Sequence, residues 1–301
     1  MEILDSNENF LAIEKEYSSI ENSRIVIVPV PYEFRVSYGK GAKHGPEAIL
    51  NASAYVEFFD DEFDRELCFD MGIATLKEIE FGKLYDKAAL KLIEERITEL
   101  LDLDKFIVSL GGEHTISTAA IRAHYLKYPE MSLLHFDAHS DLRDSYEDSI
   151  YSHACFMSRV IEFYPPDKIT QVGIRALCKE EREIIREKNI KTFFASAIRK
   201  GKHGSNWQSR VVDTLGKEIY ITFDVDYFDP SIMPSTGTPE PDGFLYNETL
   251  DLFREIMNEG KRIVGFDVVE LAPAKGLNHP NLTTARLIYK LLNFAFNTKE
   301  F

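Results

Sequence analysis

Apolar residues fall into short β-branched runs that alternate with stretches of helical periodicity. RIVIVPVP (24–31) predicts a strand. A Gly-rich loop follows, and Gly45-Pro46 within YGKGAKHGPEAIL marks a helix start, because proline suits the first helical turn. Residues 86–101, DKAALKLIEERITELL, carry apolar positions at helical spacing. KFIVSL then predicts a strand, a helix starts at Thr115, MSLLHFDAH predicts a strand, and another helix starts near Ser152. KITQVGIR, TFFA, IYITFDVD and RIVGFDVVEL continue the strand series, separated by helical patterns such as EEREIIREKN and NETLDLFREIMNEG. NLTTARLIYKLLNFAF reads as a long packed helix, and LCFDMG (67–72) as a small, weak strand. Segments 1–23 and 60–85 carry the least pattern.

Strands alternating with helices require crossover connections, hence an α/β fold with a mostly parallel sheet covered on both faces. No linker, repeat or low-complexity tract interrupts the chain, so a single domain over 1–301 is expected. In such sheets ligands bind beyond the carboxyl ends of the strands. Polar residues at those ends are therefore the candidates for chemistry.

Five strand ends carry unusual polar groups. VSLGGEHT ends in Glu113 and His114; MSLLHFDAHSD supplies Asp137, His139 and Asp141; YITFDVDYFDP supplies Asp224 and Asp226; GFDVVELAP supplies Asp267 and Glu270; QVGIR ends in Arg175. His153, in YSHACF, opens a helix. Strand alternation would project Asp137, His139 and Asp141 to one side. Carboxylates crowded into an apolar setting repel one another and need a positive partner. Two histidines and four aspartates suit a pair of hard divalent ions, manganese above all, rather than a thiolate zinc site. Two such ions share a hydroxide that is nucleophilic at neutral pH. Each motif alone has a plainer reading as a loop cap, an ion pair or a helix-start residue; their joint placement at strand ends carries the assignment. His135 is expected to be buried and hydrogen-bonded, His124 to lie on the surface of a helix, His203 in a loop, and Cys155 in packing. Asp267 is expected behind the ligands rather than among them.

Composition narrows the classes. The 301 residues are 44% hydrophobic and 28% charged, an ordinary globular balance. No run approaches the roughly 20 apolar residues of a membrane span. The acidic N-terminus lacks the basic and apolar regions of a signal peptide. Three scattered cysteines, Cys68, Cys155 and Cys178, suggest free thiols and a cytoplasmic location. A net charge of −15 disfavours nucleic acid and anionic membranes and favours a cationic small molecule, though an acidic surface also serves solubility alone.

GGEHT, FDAHSD, FDVDYFDP…TGTPEPDG and DVVEL, in this order, resemble the ureohydrolase family of arginase, agmatinase and relatives; VPYEFRVSYGKGAKHGPEAI is similar to that family's substrate-rim segment. The resemblance implies a three-layer α/β/α fold on an eight-stranded, mostly parallel sheet, with two manganese ions per chain. It implies His114, Asp137, His139, Asp141, Asp224 and Asp226 as ligands and a bridging hydroxide, hydrogen-bonded by Asp141, attacking a guanidinium carbon. Glu270 would orient the guanidinium, His153 would shuttle a proton to the leaving amine, and Thr238 would hold substrate or departing urea. It also implies a homo-oligomer, trimer or hexamer. YSHACFMSRV is more similar to the agmatinase branch than to arginase, which makes agmatine, cleaved to urea and putrescine, the expected substrate. Aminopropylagmatine, guanidinobutyrate, arginine and formiminoglutamate are the alternatives, the last being disfavoured by its negative charge. Asp144, Glu147 and Asp148 either attract a distal amine or form a solvated loop. Ala154 and Asp242 replace glycines usual in the family. A non-catalytic metal-binding homologue would not need His153 or Glu270. A metal-dependent phosphatase would need more strand-end cations than Arg175, and the related single-zinc deacetylases lack the full set of six ligands.

Overall fold

Alternate residues of the first strand enter different cores: Ile25 and Ile27 pack on one side of the sheet, Val26, Val28 and Val30 on the other. A computed structural model describes residues 1–297. Eight strands form its sheet: β1 Ile25–Val30, β2 Ile73–Thr75, β3 Phe106–Gly111, β4 Ser132–Phe136, β5 Ile169–Val172, β6 Lys191–Phe193, β7 Glu218–Asp224 and β8 Arg262–Val269. Their order is β2-β1-β3-β8-β7-β4-β5-β6 and every pairing is parallel. Helices Gly45–Ser53, Trp207–Val212, Tyr246–Asn258 and His279–Ala295 supply the core on one face; Asp86–Asp102, Ser117–Lys127, Phe156–Val160 and Lys179–Glu187 supply it on the other. The result is the expected three-layer α/β/α arrangement. Because β3, β8, β7 and β4 are neighbours, residues distant in sequence meet at their carboxyl ends.

Two expectations are corrected. LCFDMG is not a strand: Leu67–Met71 is a short helix, and Gly72 turns the chain at φ +63° into the edge strand β2. His124 is not on the surface. Helix Ser117–Lys127 packs against both the sheet and helix Asp86–Asp102, so it has no wet face at this position. The His124 ring lies beside Tyr220, with Nδ1 2.8 Å from the Ala120 carbonyl, and burial pushes its pKa down to about 4. A Cβ at Gly265 would collide with this ring.

The last helix is held by charge as well as apolar contact. Lys290 is buried with its ammonium 2.7 Å from Asp60 and 3.1 Å from Glu62, and Arg65 donates to the Asn293 and Phe296 carbonyls at the helix end. Lys290→Met would leave the Asp60 carboxylate buried without a cation. It should lower unfolding free energy by about 3–5 kcal/mol, read by urea titration.

Candidate active site

The carboxylates sit where backbone amides fix them. β4 ends at Phe136, so Asp137, His139 and Asp141 follow the strand rather than alternate along it. The two-residue spacing has another cause. Asp137 Oδ1 accepts the His139 amide, and Asp224 Oδ1 accepts the Asp226 amide at 2.8 Å, both turns in which a side chain bonds the backbone two residues on. Asp226 Oδ1 accepts the Ala138 amide at 3.0 Å, tying the two loops together. Each of these aspartates uses one oxygen on the backbone and turns the other inward. Asp141, at φ +51°, is presented by a turn that Glu181 holds: Glu181 Oε1 accepts the Leu142 amide and the Ser140 hydroxyl.

Two foci result. His114 Nδ1 lies 3.1 Å from Asp137 Oδ2, 3.2 Å from Asp224 Oδ2 and 3.5 Å from Asp141 Oδ2. His139 Nδ1 lies 2.9 Å from Asp226 Oδ2 and 3.5 Å from Asp137 Oδ1. Asp137 serves both. Though these atoms are close, His114 Nδ1 and Asp226 Oδ2 have no partner with hydrogen-bond geometry among the described residues. Burial, then the carboxylates of Asp226 and Asp137, pushes Asp224 well above the usual range; burial and Asp137 do the same to Asp141. So many buried acids are unstable as neighbours without added positive charge.

The donors define the His114 tautomer. Its Nε2 is 2.9 Å from the Thr222 hydroxyl, and that hydroxyl gives its single proton to Asp267 Oδ1 at 2.7 Å. Asp267 is buried and also accepts from Ser117 and Tyr220, as an anion does. Thr222 therefore accepts from His114 Nε2–H, which leaves Nδ1 as the atom that faces three carboxylates. Burial opposes a charged ring, but Asp137 and Asp224 raise His114 well above the usual imidazole range, so this nitrogen is a place for positive charge, a proton or a metal ion. A divalent cation satisfies that arrangement, and oxygen-rich foci with one imidazole each suit a hard ion.

Beside the foci stands a hydrogen-bonded pair. Glu270 follows β8 at φ +65°; its Oε1 accepts the His114 amide at 2.8 Å and lies 3.1 Å from His153 Nδ1. Burial disfavours the His153 imidazolium, but the bond to Glu270 and its charge outweigh this and push His153 up to about 9. His153 Nε2 is 3.0 Å from the Ser37 hydroxyl. Glu113, fully buried, accepts the Phe34 and Arg35 amides and so fastens the rim segment carrying Ser37; burial raises it to about 7. Gly39 donates to the Gly237 carbonyl, which brings the loop containing Thr238 against the same mouth. A Cβ at Gly237 would lie 3.9 Å from Glu270 Oε2.

Other candidates fall elsewhere. Arg175 donates to the carbonyls of Asp226, Glu240 and Pro241, clamping a loop. Asp144 pairs with Arg159, while Glu147 and Asp148 form the exposed tip of a turn. Asp242 adopts φ +64°, the conformation glycine usually supplies, and lies 3.6 Å from Arg199. Ala154 gives its carbonyl to the Arg143 amide. Cys155 is buried and pushed up to about 12 by burial, an inert thiol. Ser37, Thr222 and Glu181 escape sequence reasoning, since each is a lone polar residue whose partner lies on a distant element.

The sequence profile of the arginase family matches residues 23–294. The chain is 38% identical over 283 residues to an N(1)-aminopropylagmatine ureohydrolase of Synechocystis, covering 92% of this chain and 90% of that one. It is 36% identical over 264 residues to an agmatinase of Bacillus cereus, covering 86% and 87%. The solved agmatine ureohydrolase of Thermoplasma volcanium superposes with a TM-score of 0.83 at 28% identity, covering 92% of each chain. With its all-parallel eight-stranded sheet and a profile match over most of its length, the chain belongs to the arginase family, as an agmatinase-like ureohydrolase.

Proposed function

We propose that this protein hydrolyses a guanidine bearing a cationic tail to urea and an amine, using two manganese ions held by His114, Asp137, His139, Asp141, Asp224 and Asp226. The observation that carries this reading is His114 Nδ1, surrounded at 3.1–3.5 Å by three carboxylates and flanked by a second focus sharing Asp137. When bound, the ions neutralise the carboxylates and activate water as a nucleophile at neutral pH. Glu270 keeps Oε1 on the His114 amide and His153, which leaves Oε2 to accept guanidinium protons and hold the reacting carbon over the foci. His153 holds at Nδ1 the proton that the departing amine requires. The Gly237–Thr238 loop and the Ser37 rim close the site from the solvent side.

Agmatine is the first reading of the substrate, supported by the similarity to agmatinases, with putrescine as the amine released. Its N1-aminopropyl derivative is the second reading, favoured by the similarity to N(1)-aminopropylagmatine ureohydrolases. The net charge of −15 attracts either one. With the manganese-loaded protein, urea release is expected from agmatine or aminopropylagmatine, and far more slowly from arginine and guanidinobutyrate, whose carboxylates meet an acidic chain. Two bound ions with no urea from any of the four would overturn the enzymatic reading in favour of a non-catalytic metal-binding protein.

His139→Ala and Asp224→Ala are each expected to lose an ion, counted by elemental analysis after dialysis, and nearly all turnover. His153→Ala should keep both ions while kcat falls about 10²–10⁴-fold, the usual cost of losing a positioned acid. Wild-type turnover in that variant would remove His153 from the mechanism.

A further inference from the structure

One row of side chains crosses the sheet directly beneath the site. In strand register Ser109 on β3 pairs with Asp267 on β8, Asp267 with Thr222 on β7, Thr222 with His135 on β4, His135 with Gln171 on β5, and Gln171 with Thr192 on β6. Residues opposite one another in neighbouring strands share a face. Six polar residues thus lie abreast across six neighbouring strands. All but Thr192 are fully buried. So much buried polarity is costly unless it is hydrogen-bonded, and every member but Ser109 is.

His135 is the ambiguous member. Its Nε2 is 2.8 Å from Asp137 Oδ2, and by distance His114, His135 and Asp137 form a group able to hold a cation. The surrounding donors give it a different role. The Ser140 carbonyl, which can only accept, identifies the end of the Gln171 amide that faces it as nitrogen, so the Thr192 hydroxyl donates to Oε1 at 3.1 Å. Gln171 Nε2 then donates to the Ser140 carbonyl at 3.0 Å and to His135 Nδ1 at 3.1 Å. A ring nitrogen that accepts a hydrogen bond carries no proton, so the neutral ring carries its proton on Nε2, aimed at Asp137.

The two ends of the row therefore act with opposite polarity. Asp267, an acceptor, holds a His114 proton on Nε2 through Thr222 and so leaves Nδ1 as the atom turned to the focus. Gln171, a donor, turns the His135 proton inward. We propose that this row sets the proton positions of both histidines, and that His135 is a positioning residue which orients Asp137 between the foci rather than a third imidazole ligand. The bond from His135 occupies one lone pair of Asp137 Oδ2 and the His139 amide occupies Oδ1, so each oxygen is turned toward one focus. The inference rests on the metal-site reading above, and its test separates the two.

The test has two readouts. In protein labelled with ¹⁵N-histidine and recorded without manganese, His135 should show the neutral Nε2–H form. Gln171→Glu, which can only accept at Nδ1, should shift His135 away from the neutral Nε2–H form. Manganese titration should show His135→Leu weakened about 10–100-fold, the usual cost of losing a partner behind a ligand. His135→Gln, whose amide N–H reaches the same carboxylate, should stay within a few-fold of wild type. An Nδ1–H signal for wild-type His135, or equal losses in the leucine and glutamine variants, would overturn the proposal. If wild type bound no manganese, the metal reading would fail, and the tautomer spectra would still decide this one. They would also decide it if the leucine variant did not fold.

Discussion

Like charges held close together in a dry interior govern this molecule. Asp137, Asp141, Asp224 and Asp226 are all buried, and three of them reach the same histidine nitrogen within 3.5 Å. Such a set persists only where the scaffold fixes each carboxylate and positive charge relieves the repulsion. The scaffold does the first through backbone amides, one per carboxylate for Asp137, Asp224 and Asp226. A pair of dications would do the second. The packed sheet beneath can be read as the support this arrangement requires.

Much of this was legible in the sequence, for physical reasons. Fully buried parallel strands announce themselves as apolar β-branched runs, and β1, β3, β7 and β8 fall where those runs lie. Acids and histidines at the ends of such runs stand out because nothing in an apolar strand needs them. The spacing of Asp137, His139 and Asp141 was informative even though strand alternation is not its cause. A carboxylate that bonds the amide two residues on produces the same interval as a pleat.

What the sequence concealed depended on register and on long-range burial. His124 looks like an ordinary polar residue of a helix, and only the second layer packed over that helix, with Gly265 opposite, makes it interior. Thr222, Gln171 and Thr192 lie on three different strands, and nothing local to any of them marks a shared row. Crossovers of tens of residues separate them, so their alignment exists only once the sheet is assembled. Ser37 meets the site through a loop, held by Glu113, whose path no local pattern dictates. The short helix Leu67–Met71 was missed because five residues are too few to display a period.

The account turns on Asp137 standing between two cations. Anomalous diffraction at the manganese edge, from crystals grown with manganese, tests this directly. Two peaks are expected, one within bonding distance of His114 Nδ1 and one of His139 Nδ1, each contacting a different oxygen of Asp137. A single peak, or one bonded to His135 Nε2, would contradict it.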